Sequence, residues 1–140
     1  MLPDKKSITR SIDRLINSRN VRGPLHYLRT SLPEDAEIYI VGGAIRDVII
    51  EESHGTGPRT VDIDVFIGNL QAGFDPADIF SEGRFKFTDL GGVRWRPEDT
   101  DLPFDICLLP DFVILKKYHL EPNVKNLLTT IDYTVNTAIF

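Results

Sequence analysis

Two aspartates, Asp62 and Asp64, stand at alternate positions of the apolar run TVDIDVFI (60–67). In a strand, residues i and i+2 point to one face. The two carboxylates would share that face, with Cα atoms roughly 6.5–7 Å apart, while Val61, Ile63 and Val65 pack on the other. Like charges so placed repel unless a proton or cation lies between them. Mg²⁺ meets that need, because it takes oxygen ligands and often combines one or two carboxylates with substrate phosphates. An isolated D-x-D on the solvated face of an edge strand is the commoner reading. A second run, PFDICLL (103–109), changes the weighing. With Phe104, Ile106 and Leu108 facing a core, Asp105 and Cys107 face the other way. Asp105 then either completes a three-carboxylate cluster with Asp62 and Asp64 or is a surface aspartate on that face. Cys107 has no partner thiol or metal-ligand spacing and reads as a small packing residue.

A double glycine precedes the aspartates, in IYIVGGAIRD (38–47). Strand, Gly42-Gly43, helix is either a tight turn or a place where the backbone closely approaches a bound group. The helix N-terminus beyond it offers unpaired N–H groups and a positive dipole end, which suits a triphosphate. The stretch is neither G-x-G-x-x-G nor a Walker sequence. Arg46 either reaches a phosphate or is a surface charge beside Asp47.

The spacing predicts the elements that must hold these groups. Ile8, Ile12, Leu15 and Ile16 place a helix over 7–19 with Ser7 as N-cap, and Gly23-Pro24 breaks it. A second helix follows over 24–32 with Pro24 in its first turn, then a turn at 33–35. A strand (37–41), a helix (44–52), a loop (53–59) and a strand (60–67) come next. A short helix is expected near 76–80. Residues 84–90 and 93–98 form a hairpin around Gly91-Gly92, and 102–109 a further strand. Helix and loop are left open for 111–128. The order implies a mixed α/β (α+β) fold, a small sheet with helices packed on one side. Alternation turns Trp95 inward and Arg94 and Arg96 outward, with base stacking by Trp95 the competing reading. His26, His54 and His119 show no ligand spacing.

The chain's 140 residues suit a single domain over 1–140, with 1–23 a helical extension. Its 41% hydrophobic and 26% charged residues are ordinary for a globular protein. A net charge of −5 does not suit broad, non-specific wrapping of nucleic acid, though it leaves room for a local basic patch. One cysteine permits no internal disulfide. No signal-peptide pattern or membrane-length apolar run is visible. The expectation is a cytoplasmic protein with no membrane partner. Nothing fixes its oligomeric state.

YIVGGAIRD followed by a strand carrying DID resembles the head domain of class II tRNA nucleotidyltransferases and bacterial poly(A) polymerases. That family's signature is approximately VGGAVRD, a short helix and loop, then DxD. LHYLRTSLPEDAEIYIV resembles the lead-in to the first strand. IDYTVNTAIF resembles the family's RDFTINA segment at Asp132, Thr134, Asn136 and, one residue late, Ala138. The resemblance covers residues 25–140. It implies a DNA polymerase β-type nucleotidyltransferase fold, with two Mg²⁺ ions held by Asp62 and Asp64. It implies Gly42 and Gly43 beside the nucleotide phosphates, Asp132 and Asn136 helping to bind sugar or phosphates, and Asp105 as the further carboxylate on a later strand. The expected reaction moves a nucleoside monophosphate from an NTP, ATP or CTP, to a hydroxyl of an RNA 3′ end, a protein or a small molecule. Three departures stand out. Thr130 and Ile131 replace the family's Arg, the loop SHGTGPR is longer, and the sequence lacks the downstream neck, body and tail. They keep open an inactive descendant that binds nucleotide or a protein partner.

Overall fold

Alternating burial builds a sheet that is apolar on one face and polar on part of the other. The computed structural model describes residues 3–71, 73–75, 78–80, 83–89 and 91–130. Its strands are β1 (Glu37–Val41), β2 (Ile63–Gly68), β3 (Arg84–Phe87), β4 (Val93–Arg96) and β5 (Phe104–Leu108), in the spatial order β1-β2-β5-β4-β3. β2 and β5 are parallel, and the other neighbours are antiparallel. The β3–β4 hairpin around Gly91-Gly92 is formed as expected. Ile63, Val65 and Ile67 of β2 and Phe104, Ile106 and Leu108 of β5 are buried on the same face. Trp95 joins them, with the rings of Tyr27, Phe80 and Phe104 at 5.5, 5.7 and 5.8 Å. It is a core residue and offers no face for a base.

Three helices cover that apolar face: α1 (Lys5–Ile16), α2 (Arg19–Ser31) and α3 (Gly43–His54). Their contributions include Ile12, Val21, Leu28, Ile45 and Val48. Two boundaries differ from the sequence expectation. Asp4, not Ser7, caps α1, its carboxylate accepting from the Ser7 N–H at 2.8 Å. α2 starts at Arg19, so Pro24 lies inside it rather than in its first turn. An interior proline removes a backbone donor and costs about 3 kcal/mol in a helix. Here the ring is itself buried beside Val21 and Leu28, and tertiary packing overrides the local break.

β2 begins at Ile63, three residues later than alternation implied, and Asp62 lies just ahead of it. The Ile63 N–H donates to the Pro103 carbonyl at 3.0 Å, which ties the starts of β2 and β5 together. The undecided segment resolves into a 3₁₀ turn at Leu109–Asp111 and two short helices, α4 (Val113–Lys117) and α5 (Val124–Thr130). Leu109, Phe112, Leu115 and Leu127 form a second cluster with Val41, against Tyr39, Phe66 and Cys107. Helices therefore stand on both sides of the sheet, and α4 and α5 leave part of the second face uncovered. Among the described residues no helix is long and apolar enough to cross a membrane. Asp132 and Asn136 lie outside the described residues, as do Pro76 and Ala77 of the expected short helix.

Candidate active site

Register places one row of residues across the partly open face. Val41 of β1 pairs with Asp64 of β2, Asp64 with Asp105 of β5, Asp105 with Arg94 of β4, and Arg94 with Lys86 of β3. Directly opposed residues share a face, so Asp64 and Asp105 are side-by-side neighbours, one of the two readings that alternation left open. Arg94 and Lys86 extend the same row. Arg84 and Arg96, paired one step along the hairpin, face the same way.

Asp105 accepts from Arg94 Nη1 through Oδ2 at 2.8 Å and Oδ1 at 3.1 Å. Arg94 Nη2 also stands 3.9 Å from Asp62 Oδ2, so one guanidinium faces two of the three carboxylates. Among the described residues Asp64 has no such partner. Burial, then Asp62, then Asp105 push its carboxyl up to about 6, against a smaller pull downward by Arg94. Burial also raises Asp105, with Arg94 pulling it back. Cys107, half-buried beneath the row, is pushed up to about 12 by burial and by Asp111, and stays a thiol. A recess of about 250 Å³ opens beside the row, lined by Asp64, Phe66, Arg94, Asp105, Cys107 and Phe112. A larger cleft of about 590 Å³ lies elsewhere, lined by Tyr27, Trp95, Glu98 and Asp99 among others, and contains none of the three aspartates Asp62, Asp64 and Asp105. Chemistry, not volume, marks the smaller one.

Gly42 ends β1 and caps α3 in a conformation, φ 74° and ψ −136°, that side-chain-bearing residues avoid. A Cβ there would stand 3.0 Å from Asp64 Oδ2. The glycine is thus required by the backbone and by the carboxylate together. No side chain caps α3, so its first-turn N–H groups remain available to an anion close to Asp64. Arg46 donates from Nε and Nη2 to Asp47 Oδ1 at 2.9 and 2.8 Å, and Asp47 is buried. The geometry pairs Arg46 with Asp47, and that carboxylate is buried rather than a surface charge.

The donors fit Mg²⁺ in kind, since Asp62, Asp64 and Asp105 offer carboxylate oxygens and Asp64 has no cation in contact among the described residues. Among the described residues, however, no three His, Cys, Asp or Glu side chains are gathered closely enough to hold a metal ion. Arg94 engages the carboxylate that would complete the set. Sequence reading missed this residue's part: alternation turned Arg94 outward, but only strand order reveals that Asp105 is its neighbour.

A five-stranded mixed sheet with these helices is the nucleotidyltransferase fold. Solved structures similar to this chain include CCA-adding enzymes. A complex of such an enzyme with CTP superposes with a TM-score of 0.60 at 18% identity, covering 95% of this chain and 30% of that one. The Thermotoga maritima CCA-adding enzyme complexed with tRNA gives 0.61 at 18% identity, covering 95% and 28%. An apo form gives 0.57 at 20% identity over 95% and 28%. The chain thus spans under a third of those enzymes' length. No protein-family model and no curated protein sequence matches it. At such identity the likeness establishes the fold, and the motif resemblance agrees with it.

Proposed function

We propose that this chain is a Mg²⁺-dependent nucleotidyltransferase domain that moves a nucleoside monophosphate from an NTP, ATP or CTP, to a hydroxyl acceptor. The observation that carries the reading is the Asp64–Asp105 pair set beside Gly42 at the uncapped start of α3. Two Mg²⁺ ions, held by Asp62, Asp64 and Asp105, would polarise the α-phosphate and stabilise the departing pyrophosphate. Gly42 lets the triphosphate approach the backbone, and the N–H groups of the first turn of α3 orient its oxygens. Gly43 leaves the same approach open, and Arg46 adds positive charge one turn along. Asp105, which borders the recess, takes the proton of the acceptor hydroxyl. Asp132 and Asn136, by the motif resemblance, would hold the sugar or phosphates. The acceptor is an RNA 3′ end, a protein or a small molecule.

Incubation with each labelled NTP and Mg²⁺ against tRNA, the protein itself and a cell lysate tests the reading. Label transferred to one acceptor class supports it and names the acceptor. The Arg94–Asp105 ion pair favours one rival, a descendant that binds nucleotide without turnover. NTP binding without transfer to any acceptor identifies that rival.

A further inference from the structure

Arg94 is placed where a counter-ion of the acidic row would be. It is held to Asp105 by two contacts from one nitrogen, stands 3.9 Å from Asp62 and remains partly open to solvent. Lys86, its partner on β3, stands on the side away from Asp105, and Arg84 and Arg96 share the face one step along the hairpin, so like charge surrounds Arg94 except toward the carboxylates. These positions make the row a graded one, two acids followed by cations.

We infer that Arg94 is an exchangeable internal counter-ion that competes with divalent metal for Asp105 and Asp62. The inference rests on the proposed Mg²⁺ site and adds to it a positioning residue that governs loading. With Arg94 on Asp105, a metal ion arriving alone must displace a guanidinium whose other anions in reach among the described residues, Asp62 and Asp64, are the metal's own ligands. A metal ion arriving with a triphosphate brings a further anion, so Arg94 can leave the carboxylate without losing charge compensation. The arrangement therefore weakens binding of bare metal and couples metal entry to nucleotide entry.

The test is titration calorimetry of the metal-stripped protein with Mg²⁺ alone, beside urea unfolding in EDTA. Charge-assisted hydrogen bonds at a partly exposed site are worth enough to shift an equilibrium about five- to tenfold. Arg94→Gln should bind bare Mg²⁺ tighter by about that factor, and Arg94→Lys, which keeps the charge, should stay near the native affinity. Arg94→Gln should also be less stable in EDTA, with Mg²⁺ restoring the loss. Equal or weaker Mg²⁺ binding by a folded Arg94→Gln overturns the inference. So does a variant that Mg²⁺ cannot refold, since Arg94 would then be a fixed structural partner. If native protein and variants alike bind no Mg²⁺, with or without an NTP, the proposed function itself fails. If the native protein binds Mg²⁺ with NTP and the variants match it on bare metal, only the counter-ion role fails.

Discussion

Because burial, Asp62 and Asp105 raise the Asp64 carboxyl to about 6, the folded chain keeps a proton that the unfolded chain releases near 4. A carboxyl raised on folding stabilises the native state while both forms are protonated, and that contribution is lost as pH rises through the folded value. Metal-stripped protein should therefore lose about 2 kcal/mol between pH 4 and 6, with little further change from this group above that. Asp64→Asn removes the titrating group and its repulsion with Asp62 and Asp105. In EDTA the variant should show a flattened profile and, at pH 8, stability equal to or about 1–2 kcal/mol above the parent. Nucleotidyl transfer should be abolished. Urea unfolding across that pH range, paired with a transfer assay in Mg²⁺, reads both. Full transfer by Asp64→Asn would end the metal-site reading. A large loss of stability would make Asp64 a structural residue instead.

At the level of elements, the β1–α3 junction concentrates two demands in one residue and none in the next. Gly42 has φ 74°, and a Cβ there would meet Asp64 Oδ2 at 3.0 Å; at Gly43 the nearest contact is Arg46 Nη2 at 3.4 Å, an ordinary van der Waals distance. Gly42→Ala should cost about 2–3 kcal/mol in urea unfolding and weaken the response to nucleotide. Gly43→Ala should be neutral or gain up to ~1 kcal/mol, as alanine does in a helix. Equal effects at the two positions would contradict the junction geometry. The same junction was readable in the sequence, because a strand ending on Gly-Gly before a helical pattern is a local signal. So were the faces of Asp64 and Asp105, since period-2 alternation needs only neighbours, whereas Val61, expected to pack with Ile63 and Val65, is 72% exposed ahead of the strand. The start of β2 was not, because Thr60 and Val61 have strand propensity but no paired strand. Nor was the extent of α2: Pro24 is a strong local stop, and only the core that Val21 and Leu28 enter reveals the helix around it. Residues 111–128 lacked enough periods to choose between helix and loop; it is packing on Val41 and Phe66 that sets α4 and α5 there.

At the scale of the whole molecule, the site exists only when the sheet is complete. Val41, Asp64, Asp105, Arg94 and Lys86 reach one row through a parallel β2–β5 pairing that brackets the β3–β4 hairpin. No local segment holds more than a fragment of that row, which is why the Arg94–Asp105 contact was illegible in the sequence while each residue was plain in it. An unfolded or partly folded chain has no such row, so a ligand that needs it binds the native state alone. Such a ligand stabilises by mass action, about 2.7 kcal/mol at a hundred times its Kd. For a chain of this size that is a rise in melting temperature of roughly 10 °C. Mg²⁺ alone should give little, because Arg94 already compensates Asp105, and an NTP alone little, because its phosphates would face Asp64 unscreened. The two together should give the shift, with ATP or CTP ahead of GTP and UTP. Thermal melts with each nucleotide at millimolar concentration, with and without Mg²⁺, measure it. A flat response across all four nucleotides would count against transferase and non-catalytic nucleotide binder alike, leaving a nucleotidyltransferase fold put to some other use.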